Sequence, residues 1–196
     1  MPGKLLIVNS YHPSARYVPM GSFGICDYLA QQGHQARIFN CALYPPDQQS
    51  PLLQQEIHRF QPQAIGLIMQ WKEYTASALR LARELKKLFP DIPIIAGGMT
   101  AGYFARMLLR RHRSIDGVIR GDAEEPLNLI LAGRAWTDIP NLLFMDKGSL
   151  RSGRGVYRAD CRESALLYAR LTDLYSMHEQ GAQLIETLLV RRAGDG

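Results

Sequence analysis

The clearest hydrophobic pattern lies in the middle of the chain, where two short apolar runs flank a segment with helical periodicity. Residues 64–69 are apolar without alternation, which is typical of a strand covered on both faces. Apolar positions then recur at helical spacing over residues 73–89, and prolines at 90 and 93 end that helix before a second apolar run at 94–96. The pattern therefore predicts two strands joined by a crossover helix. The predicted buried stripe of this helix consists of Leu79, Leu81, Ala82, Leu85 and Leu88.

The same alternation of strand and helix extends from the N-terminus to about residue 133. Apolar runs predict three further strands, at residues 4–9, 35–40 and 115–120. Further helices are predicted at residues 21–32, 51–60, 100–112 and 127–131. Residues 41–49 contain two adjacent prolines and are expected to form a loop. Five strands joined by helical crossovers specify an α/β fold, a Rossmann-like doubly wound parallel five-stranded sheet with helices on both faces.

The pattern changes after residue 140. Residues 141–150 predict a small C-terminal hairpin around an Asp-Lys-Gly turn, and residues 164–192 carry two helical patterns. We therefore expect a ligand-binding domain over residues 1–140 and a linker hairpin with a helical extension over residues 141–196. Because an exposed apolar stripe usually marks an interface, the tail is expected to form a homo-oligomer or to dock over the domain's own cleft.

Composition restricts the classes of function. The chain has 196 residues, of which 46% are hydrophobic, enough for one domain with a sizeable core. No apolar run approaches the roughly 20 residues that span a bilayer, and the N-terminus lacks a signal-peptide pattern. We therefore expect a cytoplasmic protein that does not bind a membrane.

Charge and cysteine content also argue against two kinds of partner. The net charge of +5 is dispersed, apart from a cluster at residues 110–113 that ends a predicted helix, where cations are favoured by the helix dipole. We therefore expect no nucleic-acid partner. The three cysteines, Cys26, Cys41 and Cys161, are far apart in sequence and are expected to be free thiols rather than a metal motif or a disulfide framework.

The segments of unusual composition all follow predicted strands at their carboxyl ends. They are residues 10–21, 70–72, 97–100 and 121–125. Ligands of open parallel sheets bind outside these ends, so the segments predict one broad site along one edge of the sheet. Gly97, Gly98 and Gly121 would let a large, flat ligand approach the backbone, although a Gly-Gly pair is equally consistent with a tight strand-to-helix turn. A dinucleotide site fits poorly, because the first strand is not followed by Gly-x-Gly-x-x-Gly.

Four segments, in order, resemble a known family. They are Pro-Met-Gly ahead of a helix ending in QQGHQARIFN, then QPQAIGLIMQ, FPDIPIIAGGMTA and DGVIRGDAEEPL. Over residues 4–145 the chain resembles the cobalamin-binding domain at the N-terminus of cobalamin-dependent radical S-adenosylmethionine enzymes. The resemblance implies a corrin lying on the strand ends, with its nucleotide tail in a groove between strands and helices that is lined by the glycines of GGMT.

The resemblance also implies a set of cofactor-binding residues. These are Ser10, Tyr11, His12, Met20, Gly21, Met69, Gln70, Trp71, Gly97, Gly98, Met99, Thr100, Gly121, Asp122 and Glu124. In the methionine-synthase-like branch, Asp-x-His-x-x-Gly supplies a histidine to cobalt. Here His12 is present without that Asp and Gly, so it is either a cobalt ligand or a loop histidine. In the radical branch a side chain after the third strand lies below cobalt, which implicates Met69, Gln70 or Trp71, with packing as the alternative role of Trp71.

The chain lacks Cys-x-x-x-Cys-x-x-Cys, so it has no ligands of that type for an iron–sulfur cluster. The resemblance thus implies a cobalamin-binding module serving methyl transfer or radical chemistry with a catalytic barrel domain or partner protein, or a stand-alone cobalamin carrier. Two alternatives stay open. One is a degenerate Rossmann-like interaction domain without cofactor. The other is a flavodoxin-like phosphosugar or nucleotide enzyme, in which Asp122, Glu124 and Glu125 act in acid–base catalysis rather than as partners of a helix dipole.

Overall fold

The computed structural model describes residues 2–10 and 20–159, which form a single seven-stranded sheet in the order β2-β1-β3-β4-β5-β6-β7. Strands β1 to β5 are parallel, whereas β6 and β7 are antiparallel to their neighbours. The strands are β1 (Lys4–Asn9), β2 (Gln35–Asn40), β3 (Ala64–Ile68), β4 (Ile94–Gly97), β5 (Gly117–Ile119), β6 (Leu142–Asp146) and β7 (Ser149–Ser152). The predicted Rossmann-like α/β fold is confirmed.

Helices cover both faces of the sheet. They are α1 (Met20–Gln31), α2 (Pro46–Phe60), α3 (Thr75–Leu88), α4 (Met99–Tyr103), α5 (Ala105–Arg111) and α6 (Glu124–Leu131). Alternate residues of β1 enter opposite cores, because successive side chains of a strand point to opposite faces. Leu5 and Ile7 pack with α1 and α6, and Leu6 and Val8 pack with the other helices. Burial on both faces explains why the strands are continuous apolar runs.

Three helix predictions need correction. Helix α2 begins at Pro46, five residues earlier than expected. Proline suits the first helical position, because the backbone N–H that it lacks would have no partner within the helix there. The single helix expected at residues 100–112 is two helices that meet at Phe104, which has a φ of −99° and a ψ of 17°. The spacing of apolar residues continues through this bend, so the sequence pattern does not reveal it. Leu88 is 49% exposed, so it does not belong to the buried stripe of α3.

The predicted hairpin is present, and it extends the sheet. Its two-residue turn is Lys147 and Gly148, both with positive φ, as a type I′ turn requires. Strand β6 pairs with β5, and its Leu142 and Phe144 are buried in the core beneath α1 and α6. The boundary at residue 140 stays a prediction. The predicted helices within residues 164–192 lie outside the described residues.

No helix in the described ranges combines the length and the apolar character needed to cross a membrane. Cys26 and Cys41 are free and buried. Burial raises the pKa of the Cys41 thiol to about 12 and raises that of Cys26 further, so both stay protonated at neutral pH. The third cysteine, Cys161, lies outside the described residues.

Candidate functional site

A cleft of about 520 Å³ lies between α1 and α6, over the carboxyl ends of the central strands. Its walls are Gly21, Ser22 and Ile25 of α1 and Ala123, Glu124 and Leu127 at the start of α6. Its floor is formed by β1, β3, β4 and β5, through Ile7, Gly66, Ile68, Ile95, Gly97 and Ile119. The cleft opens along the edge of the parallel sheet where the sequence predicts a site. The cleft has the size of a small-molecule site.

The two glycines after β4 have different surroundings. A Cβ atom on Gly97 would meet nothing within 4 Å, so the absence of a side chain there leaves the cleft open. A Cβ on Gly98 would lie 2.9 Å from the backbone of Met69 and Gln70, and Gly98 has a φ of +102° that side-chain-bearing residues rarely adopt. Both glycines line the cleft, but Gly97 leaves room for a ligand to approach the backbone, whereas Gly98 is required by the strand-to-helix turn.

The loop that follows β3 contributes Gln70 and Trp71 to the cleft. Trp71 is 49% exposed, so it is available to a ligand at the opening rather than being a packing residue of the core. Met69 is fully buried among the side chains on the opposite face of the sheet, and its suggested contact with a ligand stays a prediction. Successive side chains along a strand alternate between the two faces of the sheet, so Met69 lies on the same face as Leu67, whereas Gln70 lies on the opposite one.

Hydrogen bonds join the loops after β3 and β4. The Gln70 side-chain oxygen accepts from the Met99 backbone N–H at 3.3 Å, and the Thr100 hydroxyl donates to the Gln70 carbonyl at 3.1 Å. Met99 and Thr100 do not line the cleft among the residues described, so they support its rim. The two loops therefore hold each other in place beside Gly97.

The loop that follows β5 is held by Asn141. The Asn141 side-chain amide donates to the carbonyls of Asp122 and Tyr157, at 3.0 and 2.9 Å, and its oxygen accepts from the Tyr157 N–H at 3.1 Å. One oxygen of the Asp122 carboxylate accepts from the Ala159 N–H at 2.9 Å. Gly121, with a φ of +92°, lets the chain turn here. Asp122 and Gly121 therefore line the cleft at an edge that the chain after β7 also contacts.

The two glutamates that begin α6 have different partners. Glu125 accepts hydrogen bonds from the Tyr28 hydroxyl at 2.7 Å and from the Asn128 amide at 2.8 Å. Glu124 lines the cleft, and its Oε2 is shielded from solvent without a hydrogen-bond partner among the described residues. Since Asp122 also has a separate partner, the three acids do not form a shared acid–base cluster. The phosphosugar or nucleotide enzyme hypothesis gains no support from this arrangement.

A chain of hydrogen bonds ties α1 to α6 beside the cleft. Burial, followed by the hydrogen bond to Glu125, raises the pKa of Tyr28 well above its usual value of 10, which keeps the hydroxyl protonated as a donor. His34 lies 2.9 Å from the Asn128 side-chain oxygen and accepts from the Gly3 N–H at 2.8 Å. These residues carry no signal in the sequence, because Tyr28 and Glu125 are 97 positions apart and no local pattern connects them.

The proposed residues at the end of β1 are only partly described. Ser10 is buried, its hydroxyl lies 3.2 Å from the Ser77 hydroxyl, and it does not line the cleft as described. Tyr11, His12 and the side chain of Met20 lie outside the described residues, so the suggested cobalt ligand stays a prediction. Within residues 2–10 and 20–159, no group of three His, Cys, Asp or Glu side chains could hold a metal ion.

Comparison with known proteins adds a family and a fold. The family model for the B12 binding domain matches residues 12–131, which is more than half of the chain. A search of curated proteins gave no sequence match.

Solved structures of two enzymes are among those similar in fold. The radical S-adenosylmethionine methyltransferase TsrM from Kitasatospora setae, with cobalamin and a 4Fe–4S cluster bound, is 18% identical with a TM-score of 0.69. That match covers 84% of this chain and 31% of TsrM. The cobalamin-dependent S-adenosylmethionine radical enzyme OxsB, with aqua-cobalamin and S-adenosylmethionine bound, is 14% identical with a TM-score of 0.67, covering 89% of this chain and 26% of OxsB. The chain therefore spans less than a third of either enzyme.

Proposed function

Since the chain belongs to the family of B12 binding domains, we propose that it is a cobalamin-binding module that serves methyl transfer or radical chemistry in a radical S-adenosylmethionine-type system. The observation that carries this proposal is the cleft beside Gly97, where an apolar groove between α1 and α6 opens at the carboxyl ends of parallel strands. Bound cobalamin would supply a cobalt centre able to accept and donate a methyl group.

The residues of the cleft fit the chemistry of the cofactor. Aliphatic side chains dominate the floor and walls, which suits insertion of a flat, apolar base. Gly97 adds no side chain where the ligand would approach the strand end, and Gln70 and Trp71 offer a polar amide and an aromatic ring at the opening. These features support placing the nucleotide tail in the cleft and the corrin over the strand ends.

The iron–sulfur chemistry is assigned to another domain or protein. These 196 residues contain only three cysteines, and they are not spaced as ligands of a radical S-adenosylmethionine cluster. The chain also corresponds to 31% of TsrM and 26% of OxsB. A catalytic barrel, in the same polypeptide or in a partner, would therefore complete the system.

Titration with hydroxocobalamin, followed by visible absorption, tests the proposal. We expect a saturable change in the cobalt-sensitive bands with one cofactor bound per chain. Myoglobin at equal concentration controls for nonspecific association of the corrin with protein. Failure to bind at micromolar cofactor would contradict the proposal and favour an interaction domain without cofactor.

A further inference from the structure

Glu124 is an unusual group in this cleft. Its Oε2 atom is shielded from solvent and has no hydrogen-bond partner in the part of the chain that the structure describes. Buried polar atoms are nearly always paired, and leaving one unpaired is unfavourable, more so for a charged group. The adjacent Glu125, in the same helical turn, has both Tyr28 and Asn128 as donors. The unpaired state is therefore specific to the glutamate that lines the cleft.

The surroundings of Glu124 restrict what its partner can be. No lysine, arginine or histidine lines the cleft within the described ranges, and nearby lining residues such as Ile25, Ile119 and Leu127 are aliphatic. An anionic group of a ligand would be repelled by the carboxylate in such surroundings. A hydroxyl or amide N–H would instead form a charge-assisted hydrogen bond, and the broad terminal torsion of glutamate lets the carboxylate turn toward it.

We propose that the Glu124 carboxylate accepts a hydrogen bond from a ribose hydroxyl of the cobalamin nucleotide tail. This inference rests on the proposed function. Within that tail the benzimidazole base carries no N–H donor and the phosphate is anionic, so the ribose hydroxyls are the neutral donors. The corrin amides are donors of the same chemistry, but they are attached to the ring that would lie over the strand ends. Glu124 would therefore act in specificity, by distinguishing a corrin with a nucleotide tail from one without it.

The test compares two corrins and two variants. Hydroxocobalamin has the nucleotide tail, whereas diaquacobinamide keeps the corrin amides and lacks the ribose, phosphate and base. Glu124→Gln removes the charge from the cleft, and Glu125→Gln is the matched control, because it removes the same charge from the same helical turn at a residue that does not line the cleft as described. Affinity is measured by absorption titration for every pair.

We expect Glu124→Gln to weaken hydroxocobalamin binding about tenfold, which is the weakening that follows from replacing a charged acceptor by a neutral one. Cobinamide binding should change less than twofold. Glu125→Gln should leave both affinities within twofold of those of the parent protein. If Glu124→Gln lowers the affinity for both corrins equally, Glu124 contacts a corrin amide or supports the fold, and the proposal is overturned. The proposal is also overturned if the affinity for neither corrin falls.

Thermal unfolding without cofactor gives a second readout. Because Glu124→Gln removes a charge whose shielded oxygen has no hydrogen-bond partner among the described residues, its melting temperature should equal or exceed that of the parent protein, whereas a purely structural role for Glu124 requires a lower value. Two outcomes separate this inference from the proposed function. If the parent protein binds neither corrin, both are overturned. If it binds cobinamide as tightly as hydroxocobalamin, cobalamin binding stands and the ribose contact is overturned.

Discussion

Gly97 and Gly98 are adjacent in sequence but differ in what surrounds their missing side chains. Gly97 faces open space, whereas a Cβ at Gly98 would press against the backbone of Met69 and Gln70. From the sequence alone, both glycines are expected in the ligand groove. A substitution at Gly97 should therefore affect binding, and a substitution at Gly98 should affect folding.

We predict that Gly97→Leu lowers hydroxocobalamin affinity by roughly 10- to 100-fold, because the new side chain would occupy the cleft at an overpacking cost of about 1–3 kcal/mol. Its melting temperature should stay near that of the parent protein. Gly24→Leu is the matched control, because its Cβ would also meet nothing within 4 Å and Gly24 does not line the cleft among the described residues. Equal binding by the two variants would show that ligand does not approach Gly97.

We predict that Gly98→Ala destabilises the protein by about 3 kcal/mol, because its backbone lies in a region used essentially by glycine alone and the added Cβ has contacts of 2.9 Å. Chemical denaturation measures the loss. Gly97→Ala should be within about 0.5 kcal/mol of the parent protein, as expected for a substitution into open space. A Gly98→Ala protein of normal stability would mean that the turn can relax.

At the scale of elements, the pairing of α1 with α6 shapes the cleft. The Tyr28 hydroxyl crosses from one helix to the other and donates to Glu125, with Asn128 and His34 completing the connection. These bonds join the two walls of the cleft beside the site rather than within it. They should contribute to stability through the position of the helices.

We predict that Tyr28→Phe lowers the free energy of unfolding by about 1–2 kcal/mol at neutral pH, since Glu125 loses one donor. The pKa of Tyr28 is raised in the folded protein, so folding favours the protonated form. The associated stability is fully present below pH about 10 and is lost as the pH rises through the folded pKa. The difference in free energy of unfolding between the parent protein and Tyr28→Phe should therefore become smaller above pH 10. Denaturation at a series of pH values measures this difference, and a difference that stays constant would contradict the prediction.

At the scale of the whole molecule, the hairpin joins the predicted domain and linker into one sheet. Leu142 and Phe144 are buried, and the chain after β7 returns to Asn141 and Asp122 at the edge of the cleft. The predicted boundary at residue 140 separates β6 from its partner β5. Truncation experiments can test whether residues 1–140 are an independent unit.

We predict that a chain ending at residue 140 loses about 5 kcal/mol of stability relative to one ending at residue 159, because it no longer buries Leu142 and Phe144. Denaturation measures the difference. The chain ending at residue 159 should also retain cobalamin binding, as the cleft residues that the structure describes all precede that position. Equal stability of the two chains would support the boundary at residue 140.

The self-association proposed for the tail is tested with the same truncation. The apolar periodicity within residues 164–192 favours an interface. We expect light scattering to give a larger mass per particle for the full chain than for the chain ending at residue 159, which should be a monomer. A monomeric full chain would instead favour docking of the tail on its own domain or on a partner.

The sequence by itself determined the order of strands and helices, the hairpin turn and the edge of the sheet where a site would form. These follow from local signals, namely apolar runs for strands buried on both faces, helical spacing, and the glycine that a type I′ turn prefers. The four segments that resemble the cobalamin-binding domain also predicted the family correctly, because their sequences and order along the chain can be recognised without any knowledge of tertiary contacts.

Only the tertiary structure decided which neighbouring residues face the cleft. Gly97 and Gly98 both line the cleft, yet a Cβ atom would meet open space at Gly97 and the backbone of Met69 and Gln70 at Gly98. Glu124 lines the cleft with an unpaired oxygen, whereas Glu125 accepts from Tyr28, which is distant in sequence. Met69 likewise turned into the core while Gln70 reached the opening. The physical reason is that these differences depend on strand order and on the packing of α1 against α6, which bring together residues up to 97 positions apart.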